Sequence, residues 1–219
     1  MIVLHHVPES RSMRVLWLLH ELGVEFEVVP HAMDRSLRDA AYLSLSPAGR
    51  VPALEMDGGV MFESLAMMEY LCERFAEAWL GRASGHPDRR AFLSWLHFAE
   101  TLSQHCANLT QQHIMLRDDS MRSPIIMQLE AKRIGKCYDA LEARLGGCEY
   151  MLGSAFSAVD VAIGQAVYMA RHFAVLDGHP QLADWYERIT QREAFNASLP
   201  GAGPRLYAQE FYPAWEVPS

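Results

Sequence analysis

The residues with the most chemical potential lie between Ser46 and Ser64, in Ser-Pro-Ala-Gly-Arg-Val-Pro-Ala-Leu-Glu-Met-Asp-Gly-Gly-Val-Met-Phe-Glu-Ser. Pro52 interrupts a strand-like stretch, and proline has no N–H to give to a sheet. An X-Pro bond in a tight turn is also where a cis peptide is tolerated. The main chain of Val51 is then left to pair with something other than a strand. Further on, Glu63-Ser64 precedes Leu65, Met68, Leu71, Cys72 and Phe75 at helical spacing, with Ser64 placed to cap that helix. A carboxylate and a hydroxyl at a helix start, beside exposed main-chain groups, suit the α-amino and α-carboxylate groups of an amino-acid-like ligand. Taken singly, Ser64 is a plain N-cap, Pro52 a strand end and Arg50 a solvated cation. The order and spacing of the three give the segment its specificity.

The elements that must position these residues follow from periodicity. Ile2–His6 reads as an apolar strand, followed by the polar turn Pro8-Glu9-Ser10-Arg11-Ser12. Val15, Leu18, Leu19 and Leu22 mark a helix face that Gly23 is placed to end. Glu25–Val29 reads as a strand and Arg35–Ser44 as a short helix. Ala53–Met56 and Val60–Phe62 flank Asp57-Gly58-Gly59, a hairpin signal, and the helix from Ser64 to about Phe75 closes the unit. This β-α-β-α-β-β-α order is that of a thioredoxin-like module, here without Cys-x-x-Cys. Residues 79–88, with Gly81, Gly85 and Pro87, read as a linker between a domain at 1–78 and an all-helical domain at 89–219. In the latter, helices are expected from Arg89 to about Asp118, from Ile125 to Leu145, and from Pro180 to about Arg192. Ser157-Ala-Val-Asp160 has the form of a capping box for the nearly uncharged run Val161–Met169, a buried central helix. Asp160 is thereby read as a helix cap rather than a catalytic acid. A tail rich in proline and aromatics runs from Pro200.

The whole chain sets bounds. Its 219 residues carry a net charge of −8, and half of them are hydrophobic. That hydrophobic content excludes a disordered chain. No run of Lys and Arg is present, so neither nucleic acid nor an anionic membrane surface is an expected partner. The apolar runs are too short to span a bilayer, and Met-Ile-Val-Leu-His-His lacks the form of a signal peptide. Cys72, Cys106, Cys137 and Cys148 are widely spaced, which points to reduced thiols in a cytoplasmic compartment. No metal is expected: His97, His105 and His113 rotate by about 80° from one to the next on a helix and cannot converge on one ion.

Gly49-Arg50-Val51-Pro52, a short hairpin, then Glu63-Ser64 and a helix together resemble the glutathione site of cytosolic glutathione transferases. In the second half, Tyr150-Met-Leu-Gly-Ser-Ala-Phe-Ser-Ala-Val-Asp-Val-Ala and His179-Pro-Gln-Leu-Ala-Asp-Trp-Tyr-Glu-Arg-Ile resemble helical-domain motifs of the same family. The resemblance implies an α/β thioredoxin-like domain followed by an all-α domain, and a homodimer. It implies glutathione as co-substrate, bound through Arg50, Val51, Pro52, Glu63 and Ser64, with Val51 main chain on the cysteinyl backbone. Glu63-Ser64 would hold the γ-glutamyl end, and Arg38 is a further candidate at the glycyl carboxylate. The implied activity is attack of the glutathione thiolate on a hydrophobic electrophile. A glutathione-dependent peroxidase or disulfide reductase, and a non-catalytic binding or stress protein, are the alternatives on the same fold.

Such chemistry requires the thiolate, whereas a free thiol of pKa about 8.5 is mostly protonated at neutral pH. Lowering that pKa by two units takes about 2.7 kcal/mol of preferential stabilisation. One charge-assisted hydrogen bond and a helix N-terminus supply energy of this order. In this family the responsible group, a Tyr, Ser or Cys, follows the first strand. Here the first tyrosine is Tyr42 and the first cysteine Cys72, both too late. Ser10 and Ser12, flanking Arg11, are left, in a stretch that resembles fungal and bacterial transferases with a Ser-Arg pair at this point. Aligning on Arg14-Val15 puts Glu9 where the usual serine classes have their serine. Ser10 is the first choice for the activating hydroxyl and Arg11 its electrostatic helper. The electrophile is expected between the turn Val7–Arg11 and the helix from Arg89, with Phe211, Tyr212 and Trp215 of the tail over the opening.

Overall fold

A computed structural model describes residues 1–203 and 205–214 of the chain; Trp215 lies outside the described residues. The chain divides into two compact units, one of Met1–Phe92 with Thr190–Leu206, the other of Leu93–Ile189 with the residues from Tyr207.

The first unit is built on a four-stranded sheet in the order β2-β1-β3-β4. Strand β1 (Val3–His6) feeds helix α1 (Ser12–Leu22), which Gly23 ends in the left-handed conformation at φ 64°. Strand β2 (Glu27–Pro30) then lies parallel to β1, with Leu4 opposite Val28. The expected helix over 35–44 is a 3₁₀ turn, Arg35–Arg38, and one helical turn, α2 (Ala40–Leu43). Asp34 caps the 3₁₀ turn by accepting from the Ser36 N–H at 2.8 Å. Strands β3 (Ala53–Met56) and β4 (Gly59–Phe62) form the hairpin read from Asp57-Gly58-Gly59, with β3 antiparallel to β1. Helix α3 (Ser64–Arg74) completes the thioredoxin-like module. The segment after it packs back on α3: a Cβ at Gly81 would come within 2.7 Å of the Cys72 Cβ. Arg89 forms ion pairs with Glu69 and Glu73.

The regular elements among the described residues of the second unit are all helices. Helix α4 (Arg89–Thr110) runs into a π-helical turn, Gln111–Met115, short of the expected end near Asp118. Helix α5 (Pro124–Leu145) starts with Ser123 accepting from the Ile126 N–H and proline in the first turn. Helix α6 (Ala158–Ala170) is buried along almost its whole length. The Asp160 carboxylate accepts from the Ser157 N–H and hydroxyl, the Met151 N–H at 2.8 Å and the Trp185 Nε1–H at 3.0 Å. Burial pushes its pKa up while those donors pull the other way. Four donors on one carboxylate without solvent is the arrangement of a structural cap, as the capping-box motif predicts. Helix α7 (Pro180–Thr190) follows, with Leu182, Trp185, Tyr186 and Ile189 inward.

A further short helix, α8 (Glu193–Ser198), belongs to the first unit. Arg192 donates to both oxygens of Glu21, at 2.7 and 2.6 Å, and Phe195 meets the Trp17 ring edge-on with centroids 4.9 Å apart. Arg192 and α8 therefore pack on α1 in the first unit, whereas the sequence places them in the helical domain.

Candidate functional site

Two segments of the first unit carry the expected site residues. In the turn between β1 and α1, Ser10 is 7 % exposed and Ser12 is fully buried. The Ser12 Oγ accepts from the Val7 N–H at 3.1 Å and lies 2.7 Å from Nδ1 of His6. Burial pushes the His6 pKa down to about 4, so the ring is neutral at pH 7. With Nδ1 as the acceptor, the Ser12 hydroxyl gives it its proton and keeps its lone pairs for the Val7 N–H. The Ser10 Oγ donates to the Val7 carbonyl at 2.8 Å, lies 2.8 Å from the Ser12 Oγ, and accepts from the Ser12 N–H at 3.2 Å. His6, Ser12, Ser10 and the Val7 peptide are thus one closed network at the N-terminus of α1. Arg11, partly buried, occupies the N-cap position of that helix. Glu9 in the same turn and Arg14 in the first turn of α1 are both buried, and Glu9 has a left-handed φ of 61°.

The second segment runs from Ser46 to Ser64. The Val51-Pro52 peptide is cis. The β1–β3 ladder begins at Ala53, opposite His5, so the Val51 main chain lies beyond the sheet pairing. Arg50 is exposed and its carbonyl accepts from the Tyr42 hydroxyl at 3.0 Å. At the other end of the segment, Glu63 occupies the N-cap position of α3 with φ 74° and ψ 102°. A non-glycine residue held there carries backbone strain of about 1–3 kcal/mol. Ser64, the first residue of α3, is 7 % exposed. Among the described residues, neither the Glu63 carboxylate nor the Ser64 hydroxyl has a hydrogen-bond partner. A strained N-cap, a free carboxylate and an unengaged hydroxyl at a helix N-terminus are what an amino-acid head group requires.

The structure sets the Ser10 and Ser12 hydroxyls 2.8 Å apart in the turn and, through Ala53 opposite Phe62, brings Pro52 and Glu63 to the same end of the β3–β4 hairpin. It adds His6, which sets the proton direction in the serine network, and Tyr42, which fastens Arg50. The signal for His6 was its place as the last residue of β1 beside a polar turn. For Tyr42 no local signal exists, because its partner is fixed by the fold of the intervening loop.

Comparison with known proteins decides the family. Residues 4–79 match the model for "Glutathione S-transferase, N-terminal domain" and residues 124–188 that for "Glutathione S-transferase, C-terminal domain". The chain belongs to the glutathione S-transferase family. It is 28% identical over 201 residues to glutathione S-transferase F13 of Arabidopsis thaliana, covering 86% of this chain and 90% of the relative. It is 25% identical to glutathione S-transferase 3 of Schizosaccharomyces pombe, covering 89% and 85%. A sphingomonad glutathione S-transferase, solved in complex with glutathione, superposes with a TM-score of 0.76 at 26% identity, covering 90% and 96%. The first cysteine of the chain is Cys72, in α3. Burial pushes the Cys72 thiol to about 12, with Glu69 and Glu73 adding to the shift, and burial pushes Cys137 to about 11. Among the described residues no group of His, Cys, Asp and Glu side chains is arranged to hold a metal ion, and no helix is long and apolar enough to cross a membrane.

Proposed function

We propose that this glutathione transferase binds glutathione along the Arg50–Pro52 and Glu63–Ser64 segments and activates its thiol at the turn carrying Ser10 and Arg11, for attack on a hydrophobic electrophile. The observation that carries this reading is the strained Glu63 beside an unengaged Ser64 hydroxyl at the start of α3. In this reading the Glu63 carboxylate takes the γ-glutamyl ammonium and Ser64, with the α3 N-terminus, takes its carboxylate. The Val51 main chain pairs with the cysteinyl backbone, and exposed Arg50 offers a cation to the carboxylates of the tripeptide.

At the thiol, the Ser10 proton moves from the Val7 carbonyl to sulfur. The exchange trades a neutral hydrogen bond for a charge-assisted one. The Val7 carbonyl keeps the Ser10 N–H at 3.3 Å, so it is not orphaned. Ser12 stays committed to His6. The positive end of α1 and the Arg11 guanidinium add long-range stabilisation of the thiolate.

Titration of the thiolate absorbance of the glutathione complex tests the assignment. Ser10→Ala raises the pKa of the bound thiol and lowers turnover while leaving glutathione affinity nearly intact; Arg11→Ala acts in the same direction. If Ser10→Ala leaves the titration unmoved while Ser12→Ala or Arg11→Ala shifts it, the role passes to that neighbour. The family resemblance further supports a homodimer, which a monomer mass by sedimentation at micromolar concentration would refute. That no disulfide joins the four cysteines among the described residues supports placement in a reducing, cytoplasmic compartment.

A further inference from the structure

Behind the loop that leads into Val51, one buried residue reaches both ends of the segment. Tyr42, 5 % exposed, uses its carbonyl to accept the N–H groups of Leu45 at 2.9 Å and Ser46 at 3.0 Å, and its hydroxyl to hold the Arg50 carbonyl at 3.0 Å. The loop between is closed on itself: the Gly49 N–H donates to the Ser46 carbonyl at 2.8 Å and the Arg50 N–H to the Ser46 Oγ at 3.4 Å. It is also pressed against its neighbour, since a Cβ at Gly49 (φ 60°) would stand 2.7 Å from the Leu37 carbonyl oxygen.

The Tyr42 ring is fixed as firmly as its polar ends. It packs with Val7 and Leu37, and Leu45 and Val51 cover the same cluster. Its other neighbours are His31, edge-on at 4.9 Å, and His5, edge-on at 6.0 Å. His5 donates from Nε2 to Glu55 at 2.9 Å, and its Nδ1 shares a hydrogen bond with His31 Nε2, also at 2.9 Å. A carboxylate on β3, an imidazole on β1 and an imidazole just beyond β2 thus hold two stacked rings in one orientation beneath the tyrosine. Val7 meanwhile is the residue whose N–H and carbonyl hold Ser12 and Ser10.

We infer that Tyr42 is a positioning residue for glutathione: its hydroxyl sets the Arg50 carbonyl, and hence the Val51 main chain, in the conformation that receives the tripeptide backbone. The inference rests on the glutathione reading of Val51 given above. A loop ordered before the ligand arrives does not have its ordering cost charged to binding. Burial holds the phenol pKa at about 12, so the hydroxyl remains a donor throughout the range in which the thiol titrates.

The test uses Tyr42→Phe, which keeps the ring in its cluster and deletes only the hydroxyl, with Glu63→Ala/Ser64→Ala measured in parallel. Loss of one fixed hydrogen bond weakens calorimetric glutathione affinity about 5- to 20-fold, while the pKa of the bound thiol stays at the parent value. Parent affinity in Tyr42→Phe together with weakened affinity in the double variant overturns the inference and leaves the site reading standing. Parent affinity in both overturns the site reading as well. A shifted thiol pKa in Tyr42→Phe assigns the tyrosine to the activating turn and overturns its role in the loop. Hydrogen exchange on the unmutated protein gives a second measurement, independent of how the variant folds. The Gly49 and Arg50 amides are protected before glutathione is added and gain less than about threefold on binding; a larger gain shows a loop ordered by ligand and overturns the inference.

Discussion

The turn Val7–Ser12 and the segment Arg50–Ser64 belong to the same unit and, in the proposed reading, serve the same ligand, yet they solve opposite problems. In the turn every hydroxyl is engaged. Ser10, Ser12, His6 and the Val7 peptide satisfy one another in near-complete burial. At the α3 start the Glu63 carboxylate and Ser64 hydroxyl have no partner among the described residues, and Glu63 sits at a positive φ. The turn is a finished structure from which a single proton is redirected. The α3 start is an unfinished one that, in the proposed reading, glutathione completes. Removing a side chain from the first therefore costs folding stability, and removing one from the second costs binding.

The largest effect is expected from Ser12→Ala. It orphans the Val7 N–H and His6 Nδ1 in a buried site, and two such groups at about 1–3 kcal/mol each destabilise the protein by about 4 kcal/mol in urea denaturation. Next is acid. Between pH 6.5 and 4 the unfolded chain protonates this histidine while the folded one, with its pKa near 4, resists. The unfolded state then binds more protons, so stability present at neutral pH is lost as pH falls through that window, by on the order of 3 kcal/mol. Comparing the parent with His6→Asn at pH 7 and pH 4 isolates this contribution, because the variant lacks that titration. Protonation also turns Nδ1 from acceptor to donor and reverses the serine network.

The α3 side of the comparison gives smaller numbers of another kind. Glu63→Ala/Ser64→Ala weakens calorimetric glutathione affinity by about 2 kcal/mol through loss of charge-assisted bonds, with the unfolding midpoint nearly unchanged. Unchanged affinity in a folded double variant would remove the contrast altogether. The smallest effect is the most diagnostic. Glu63→Gly relieves the positive φ and raises stability by about 0.5–1 kcal/mol while still weakening glutathione binding. A variant that gains neither stability nor loses affinity would show that the strain has no connection with the ligand.

Much of the site was legible because its signals are local. Pro52 cannot join the ladder whatever surrounds it, Asp57-Gly58-Gly59 turns the hairpin, and the distance from Pro52 to Glu63-Ser64 is the length of that hairpin. The Ser157–Asp160 cap was readable for the same reason, since donor and acceptor lie within one helical turn. Less legible was the stretch 35–44, where apolar periodicity over so few residues does not separate one helix from a 3₁₀ turn and a single α-turn.

By itself the sequence determined the order of elements, the absence of a tyrosine or cysteine in the first turn, and the residue types available to meet an amino-acid-like ligand. The tertiary structure decided which of those groups are committed and which are free. The Ser10–Ser12 network closes on His6, whose lowered pKa is a consequence of burial and not of its neighbours in sequence. That Tyr42 holds Arg50, that His5 joins Glu55 to His31, and that Arg192 closes on Glu21 are facts of chain packing. Periodicity records only which face of an element is apolar. Hydrogen-bond partners far apart in the chain are chosen by the folded backbone, which sets which buried groups come within bonding distance.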